Sequence, residues 1–280
     1  MTTTNTMKIG RLEVPGANLY YEVRGSGPVL LMMPGGPADA TTFRRIEESL
    51  AERYTVVTYD PRTHSRSELL GPVDDARMVE IFADDAHRLL DETSDGRACV
   101  FASSGGATIA LELARRHPEQ LDTVILHEPP SPDLVDDSES VRAAMVDVCD
   151  TCASEGLFPA MGKFMTLIGI EGGPPPAPEG EPTPEALEQM ALMQKNMEYF
   201  FGRYIANIGR YRPDFAALQE CSCRMVPAVG ADSAGQLAHR GGLGLAKKLG
   251  TRATVFPGDH GGFDGRPAEF AAKLLEVLEG

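Results

Sequence analysis

The sequence predicts an α/β fold with a mostly parallel central sheet that is covered by helices on both faces. Val29–Met33 and Ala98–Ala102 are continuous apolar runs, which is typical of strands buried on both faces. Residues 76–93 carry apolar side chains at helical spacing, and residues 106–117 form a further helical segment that ends near Pro118. This alternation of strands and helices indicates parallel strands joined by helical crossovers.

The elements follow one another in an order that agrees with this architecture. Pro15-Gly16 joins two strand-like segments, residues 9–14 and 17–24, into a hairpin, which predicts an antiparallel edge. The later strands are expected at residues 29–33, 54–59, 98–102, 123–127, 225–229 and 252–256. The helices of this alternating pattern are expected at residues 43–53, 76–93, 106–117 and 236–249 and from about residue 267.

Residues 131–218 break the alternation, because helical stretches occur there without a convincing buried strand. Within this segment, residues 171–184 contain six prolines and three glycines, a composition typical of a loop. We therefore expect a core formed by residues 1–130 and 219–280, with residues 131–218 inserted as a helical lid.

Charge and hydropathy narrow the classes of partner. The chain has 280 residues, with 26 Lys and Arg against 41 Asp and Glu, and its net charge of −15 disfavours nucleic acid. No apolar run approaches the roughly 20 residues that span a bilayer. The first ten residues lack the apolar stretch of a secretory signal. We expect a cytoplasmic protein that binds neither nucleic acid nor membrane, and a homodimer stays open.

The five cysteines include the pairs Cys149-x-x-Cys152 and Cys221-x-Cys223, which in another setting would suggest a metal or redox site. Cys149 and Cys152, however, fall within a helical stretch and not at a strand–helix junction. We therefore expect packing cysteines, no metal and no cofactor.

The strongest sequence signal for chemistry is the segment from Cys99 to Gly106, CVFASSGG, where a strand runs directly into a helix. Small residues stand two positions before and after Ser104, as a sharp turn requires. The segment resembles the nucleophile elbow G-x-S-x-G of the α/β-hydrolase family, with Ala102 in place of the first glycine. Ser103 fits less well because its flanks would be Phe101 and Gly105. The resemblance implies the α/β-hydrolase fold, with Ser104 as nucleophile.

A second segment, Pro34-Gly35-Gly36-Pro37, follows the strand at residues 29–33 and resembles the His-Gly-Gly-Pro loop of the same family. In the family this loop offers backbone N–H groups to an oxyanion, and glycine permits the close approach. Pro34 stands where the family usually has histidine. The expected oxyanion donors are Gly36 or Gly35, together with Gly105.

Two histidines lie in loops that follow strands. His64 belongs to residues 60–67, DPRTHSRS, which resembles a structural segment of the family, so we expect it to be a loop or pocket-wall residue. His260 lies in the loop after the last predicted strand, where the family places its catalytic histidine. A serine hydroxyl needs a neighbouring imidazole to accept its proton, and we expect His260 to be that base.

Two carboxylates at strand ends are candidates for the acid of the triad. Asp232 follows the strand nearer the C-terminus, as is usual in the family, but its spacing from Gly230 is one residue short, and Ser233 holds the expected position. Glu128 ends the strand directly after the nucleophile's helix, so it should lie beside the strand of Ser104. We favour Glu128 and keep Asp232 as the alternative.

Several of these motifs together resemble one subgroup of the family, the zearalenone lactonases. The resemblance spans about residues 17–130 and 224–278 and implies that Glu128 is the catalytic acid. The lid shows no such likeness, so the resorcylic macrolactone substrate of that subgroup carries over only weakly. The similar segments are Ser103-Ser104-Gly105, His127-Glu128 with Pro130, Ser65-Arg66-Ser67, Val229-Gly230-Ala231 and Pro257-Gly258-Asp259-His260.

The predicted lid is rich in methionine and phenylalanine, which suit a pocket for a bulky apolar ligand. Tyr199 or Tyr204 could supply a pocket hydroxyl, and the sequence does not choose between them. The predicted substrate-binding residues are Met161, Phe164, Met165, Met193, Met197 and Phe200.

The sequence therefore predicts a serine hydrolase that cleaves a small apolar ester or lactone through an acyl-enzyme on Ser104. A carbon–carbon bond hydrolase or a cofactor-free haloperoxidase-like enzyme could use the same side chains. A ligand-binding protein without turnover is an alternative of another class. Dehalogenases and epoxide hydrolases are disfavoured because they need a carboxylate at position 104.

Overall fold

The computed structural model describes residues 6–170 and 183–280. In this part of the chain, nine strands form one sheet with the order β1-β2-β4-β3-β6-β7-β8-β9, and β5 pairs with β2. The pairs β1–β2, β2–β4 and β2–β5 are antiparallel, and the others are parallel. The strands are β1 (Lys8–Val14), β2 (Ala17–Arg24), β3 (Val29–Met33), β4 (Thr55–Tyr59), β5 (Glu68–Leu69), β6 (Ala98–Ser103), β7 (Leu121–His127), β8 (Arg224–Gly230) and β9 (Thr254–Phe256).

Helices lie on both faces of this sheet, so the predicted α/β architecture with an antiparallel edge is confirmed. The described helices are α1 (Arg44–Leu50), α2 (Met78–Thr93), α3 (Gly105–Arg116), α4 (Ser138–Glu155), α5 (Leu157–Ile168), α6 (Pro184–Tyr199), α7 (Ile205–Arg210), α8 (Phe215–Gln219), α9 (Leu237–Lys248), α10 (Gly262–Gly265) and α11 (Pro267–Glu279). A single π-helical turn, Phe200–Tyr204, joins α6 to α7.

The apolar runs of the central strands contribute side chains to two separate hydrophobic cores, one on each face of the sheet. Side chains alternate along a strand, so Leu31 and Met33 of β3 pack on one face with α2 and α3. Leu30 and Met32 pack on the other face with α1 and α11. A strand that is covered on both faces needs apolar residues at every position, which explains the continuous run in the sequence.

Some boundaries differ from the prediction. The short strand β5 was not expected, since two exposed residues carry no hydrophobic pattern. Strand β9 begins at Thr254, two residues later than expected, and α1 covers only Arg44–Leu50. A 3₁₀ turn at Ala40–Phe43, capped by the Asp39 carboxylate, precedes α1.

Between β7 and β8, the described residues form helices joined by short loops, without a strand. Because β7 and β8 are parallel neighbours, this helical segment leaves the sheet after one strand and returns to start the next. It begins at the strand ends, which places it above Ser104. The predicted proline-rich loop falls largely on residues 171–182, outside the described residues. Within the described ranges, no helix is long and apolar enough to cross a membrane.

Candidate active site

Ser104 lies at the turn between β6 and α3, with a backbone φ of 57° that L-residues rarely adopt. The turn is held by two hydrogen bonds, because the Ser104 amide donates to the His127 carbonyl (2.9 Å) and the Ala107 amide donates to the Ser104 carbonyl (2.9 Å). Among the described residues other than glycine, only Ser65, Ser104 and Glu128 have positive φ. Backbone strain of this kind concentrates at functional sites.

The loop after β3 packs directly on this turn, and only glycine permits the approach. A Cβ atom at Gly35 would lie 2.5 Å from the Ser103 carbonyl oxygen and 2.7 Å from the Gly105 amide nitrogen. The backbone of the loop therefore lies beside the first residues of α3, as an oxyanion hole requires. In the described part of the chain, the amides of Gly36 and Gly105 donate no hydrogen bond, which leaves both free for a ligand.

His260 and Glu128 come together from two different strand ends. His260 lies in the loop after β9, and its Nδ1 donates to Glu128 Oε2 at 2.6 Å. Glu128 directly follows β7, with a φ of 52°, and its amide donates to the Ala228 carbonyl of β8 (2.9 Å). The carboxylate is fully buried, whereas the His260 side chain is 34% exposed. This arrangement fixes the imidazole and leaves its Nε2 without a hydrogen bond to any described residue. Ser104 and His260 both line the same cavity, but no hydrogen bond joins them in this structure.

The second oxygen of Glu128 is held by β8 and by the loop that follows it. Oε1 accepts hydrogen bonds from the Gly230 amide (2.9 Å) and from the Ser233 hydroxyl. Burial alone would raise the pKa of Glu128, but the hydrogen bonds from His260 and Ser233 more than offset it and lower the pKa to about 2. The group is therefore a carboxylate at neutral pH, able to stabilise an imidazolium.

The alternative acid, Asp232, faces another way. Its carboxylate is 50% exposed and pairs with Arg266 at 3.0 Å, and no hydrogen bond connects it to His260. The position that the family pattern reserves for the acid is Ser233, whose hydroxyl instead holds Glu128. Sequence reasoning noted Ser233 at this position but assigned it no function.

His127, the residue before Glu128, is fully buried among the rings of Phe101, Phe256 and Phe270. Burial lowers its pKa to about 3, so the ring is neutral. A hydrogen bond of 3.2 Å joins its Nδ1 to the Ser103 hydroxyl. Ligand atoms of His127, Glu128 and His260 lie within 4.8 Å of one another. The facing atoms of the last two are joined by their own hydrogen bond, so we interpret the group as part of a triad and not as a metal site.

His64 holds the glycine loop, Pro34-Gly35-Gly36-Pro37, by a hydrogen bond. Its Nε2 donates to the Gly36 carbonyl at 3.0 Å, and the Thr63 hydroxyl donates to Nδ1 at 2.8 Å. The ring is fully buried, and burial lowers its pKa to about 4. Since both nitrogens are occupied, His64 is not available as a base. It braces the loop in which Pro34 replaces the family's histidine.

Asn196 connects the helical segment to the same loop. Its side chain lies on α6, is fully buried, and donates to the Pro37 carbonyl (3.0 Å) and to the Ser65 hydroxyl (2.8 Å). Its Oδ1 accepts from the Ser65 amide (2.7 Å), and the Ser65 hydroxyl donates to Asp39 (2.6 Å). Sequence reasoning missed Asn196, because a single asparagine within a methionine-rich helix gives no local signal.

A cavity of about 330 Å³ lies above Ser104 and is enclosed by the helical segment. Its lining contains Ser104 and His260 as well as Gly35, Gly36 and Gly105, and no Asp, Glu, Lys or Arg of residues 6–170 and 183–280 belongs to it. The side of the cavity that the helical segment forms is apolar. There the rings of Phe164, Phe200 and Phe201 meet edge to face at centroid distances of 5.0–5.6 Å. The cavity is therefore suited to an uncharged, apolar ligand, in contrast to the acidic chain as a whole.

Five of the six residues predicted to bind substrate line this cavity, namely Met161, Phe164, Met165, Met197 and Phe200. The sixth, Met193, does not line the cavity, and its side chain is 47% exposed. The structure also separates the two tyrosines: Tyr204 lines the cavity, whereas the Tyr199 hydroxyl is buried away from it without a hydrogen-bond partner.

Comparison with known proteins agrees with this architecture. Residues 28–167, half of the chain, match the model of the alpha/beta hydrolase fold family. An uncharacterized hydrolase of Bacillus subtilis (strain 168), YraK, is 38% identical, over 98% of this chain and 97% of its own length.

Solved structures with low sequence identity share the fold. The enol-lactonase from Burkholderia xenovorans LB400 has a TM-score of 0.68 at 19% identity and covers 97% of this chain and 100% of its own. The bromoperoxidase from Bacillus anthracis has a TM-score of 0.73 at 16% identity and covers 98% and 100%. Together with the family match and the relative of similar length, these findings show that the chain belongs to the α/β-hydrolase fold family.

Proposed function

We propose that the protein is a serine hydrolase that cleaves an uncharged, apolar carboxylic ester or lactone through an acyl-enzyme on Ser104. The observation that carries this proposal is the hydrogen bond between His260 and Glu128 at the edge of the cavity that also exposes Ser104. The strained turn at Ser104 and the free amides of the glycine loop supply the other parts that acyl transfer needs.

In the proposed first step, His260 Nε2 takes the Ser104 proton while Oγ attacks the carbonyl carbon of the substrate. The carbonyl oxygen becomes an oxyanion, and the Gly36 and Gly105 amides donate to it. The imidazolium is stabilised by the Glu128 carboxylate, which stays ionised because its pKa is about 2.

In the following steps, His260 returns the proton to the leaving alcohol oxygen as the C–O bond breaks. A water molecule that gives a proton to His260 then attacks the acyl-enzyme. As the bond to Ser104 Oγ breaks and the acid product leaves, His260 returns this proton to Oγ. For a lactone, the alcohol and the acid belong to one molecule, so a single ring-opened hydroxy acid results.

The cavity supports the choice of substrate class. A buried carboxylate or ammonium on the substrate would find no countercharge among the described residues, since none of those that line the cavity is an Asp, Glu, Lys or Arg. The combination of methionine and phenylalanine side chains can adapt to acyl chains or rings of different shape. The fold neighbours include an enol-lactonase, and the resemblance to zearalenone lactonases makes resorcylic macrolactones a class worth testing.

The test combines active-site labelling with a substrate panel. The panel contains neutral p-nitrophenyl esters of increasing chain length, a succinyl ester as the charged comparator, and simple and resorcylic macrolactones. We expect a fluorophosphonate to modify Ser104 and Ser104→Ala to lower kcat on the order of 10⁴–10⁶-fold. Ser103→Ala should retain the label, because only Ser104 occupies the strained turn.

Failure of the label to attach to folded wild-type protein, with no hydrolysis of the panel, would contradict the proposal and favour a ligand-binding protein. A preference for the succinyl ester over neutral esters would contradict the substrate class while leaving the serine mechanism in place.

A further inference from the structure

Tyr204 is the one tyrosine among the residues that line the cavity, and its ring is tightly fixed. It closes the π-helical turn between α6 and α7, a type of distortion that is frequent at functional sites. Its side chain is 3% exposed, and the rings of His64, Phe82 and Phe200 surround it at centroid distances of 5.8–6.3 Å. The position of the hydroxyl is therefore defined by packing.

That hydroxyl lies against Gly105, the residue after the proposed nucleophile. A Cβ atom at Gly105 would be 2.5 Å from Tyr204 Oη and 2.8 Å from Cε1, so any larger residue at position 105 would collide with the phenol. Gly105 is also the residue whose amide we propose as an oxyanion donor. The phenol thus occupies the space beside the oxyanion hole that a side chain at position 105 would otherwise fill.

The Tyr204 ring is almost fully buried, but its hydroxyl is not sealed off and opens onto the cavity. Within residues 6–170 and 183–280 this hydroxyl forms no hydrogen bond, so it is free to donate to a ligand. Burial raises the pKa of Tyr204 above its ordinary range, which keeps the phenol protonated and able to donate. An acceptor that enters the cavity beside Gly105 would receive this hydrogen bond.

We propose that the Tyr204 hydroxyl is a third oxyanion donor, which hydrogen-bonds the former carbonyl oxygen of the substrate beside the amides of Gly36 and Gly105. This inference rests on the proposed serine mechanism and adds a side-chain group to it. The phenol donates a hydrogen bond without transferring its proton, so the proton balance between Ser104 and His260 is unchanged. The donor comes from the helical segment, so that segment takes part in the chemistry as well as in enclosing the substrate.

The test is Tyr204→Phe, which removes only the hydroxyl and keeps the ring. On the best ester of the panel, we expect kcat to fall by about 10- to 100-fold with KM within twofold, since one oxyanion donor acts mainly in the transition state. Affinity for a trifluoromethyl ketone, which forms a tetrahedral oxyanion with the serine, should fall by a similar factor. Tyr199→Phe is the control, because it removes a buried, unpartnered hydroxyl outside the cavity, and it should keep kcat and KM within twofold.

The outcomes separate this inference from the proposed function. Wild-type protein that is labelled at Ser104 and hydrolyses esters, with Tyr204→Phe keeping full kcat, would overturn the donor role alone. A rise in KM at unchanged kcat would also overturn it, because the hydroxyl would then bind the ground state only. Wild-type protein without label or hydrolysis would overturn both. Thermal melting of both phenylalanine variants checks that the fold is retained.

Discussion

The two sides of the cavity are built by different means. One, the strand-end side, consists of Gly35, Gly36, Ser104, Gly105, Glu128 and His260, which follow β3, β6, β7 and β9. The other, the helical side, consists of Met161, Phe164, Met165, Met197, Phe200 and Tyr204, which lie on α5, α6 and the π-helical turn. The strand-end side is held by hydrogen bonds and positive φ angles, whereas aromatic and apolar packing holds most of the helical side.

This difference indicates a division of function. Neighbouring parallel strands fix the relative positions of the residues that follow them, so reactive groups there can be placed with the accuracy that catalysis needs. Helices that pack through methionine and phenylalanine can change in shape without loss of the fold. On the proposed function, the strand-end side determines rate and the helical side determines which substrate is accepted.

On the strand-end side, a change at the proposed acid, Glu128, should have a large effect on rate. Glu128→Gln should lower kcat by about 10³- to 10⁴-fold, because the amide can no longer stabilise the imidazolium or fix its tautomer. Asp232→Asn is the matched control, since Asp232 is half exposed and pairs with Arg266. Steady-state kinetics of the two variants on one ester measure the difference. A larger loss in Asp232→Asn than in Glu128→Gln would move the triad acid to Asp232.

Acid should lower the free energy of unfolding, because His64 and His127 are buried beside the strand-end side. Burial lowers the pKa of His64 to about 4 and that of His127 to about 3, against 6.5 for an ordinary histidine. Between pH 6.5 and 4.5 the unfolded chain therefore binds protons that the folded chain excludes. The free energy of unfolding should fall over this interval by about 2–3 kcal/mol for each ring.

Urea denaturation at pH 7 and pH 4.5 measures this loss. Glu128 contributes little within the interval, because its lowered pKa gives stability that is present above about pH 4.5 and is lost as the pH falls towards 2. His127→Phe should remove roughly half of the pH-dependent loss. An equal loss in the variant and the wild type would show that the His127 ring is protonated in the folded protein.

The strand-end side could largely be predicted from the sequence, because each of its residues belongs to a short motif. The elbow around Ser104 and the Gly35-Gly36 loop are continuous segments, and the parallel sheet brings their ends together. The pairing of Glu128 with His260 follows from the same topology, since β7, β8 and β9 lie side by side in the sheet. The catalytic roles of these residues remain predictions. That they lie close together could be predicted without knowing how the helices pack.

The helical side was predicted less well, because sequence spacing gives the face of a helix but not its neighbours. Met193 and Met197 share one face of α6, yet only Met197 reaches the cavity. The first turns of α6 extend into solvent, where Leu187 and Met190 are also more than half exposed. Asn196 was missed for the same reason, since its partners are about 130 residues away in the chain.

Asn196 lies on α6 and connects the helical side to the loop of the strand-end side by hydrogen bonds. Its removal should therefore lower the rate, although it lies on a helix. Asn196→Ala would leave the Pro37 carbonyl and the Ser65 amide without their partner and loosen the loop that carries Gly36. We expect kcat to fall roughly tenfold, since small displacements of oxyanion donors are costly. Gln194→Ala is the control, because this exposed residue of α6 bonds only Glu198 on the same helix.

The readout for Asn196 is kcat on one ester together with the thermal midpoint. A drop in the thermal midpoint with unchanged kcat would mean that Asn196 stabilises the fold without positioning the oxyanion loop. In that case the helical side would influence the chemistry through Tyr204 alone.

The smallest effect is expected from changes to the apolar side chains of the helical side, and it should appear in selectivity. Phe164→Ala removes a ring that packs on Phe200 and Phe201 and enlarges the cavity, so the ratio of kcat/KM for long over short acyl esters should rise about three- to tenfold. Met193→Ala should leave this ratio within twofold, because Met193 is exposed outside the cavity. If Phe164→Ala instead lowered kcat equally for all chain lengths, the helical side would be positioning the reaction and not selecting the substrate. A shift in selectivity with Met193→Ala would show that the acyl chain extends beyond the cavity along α6.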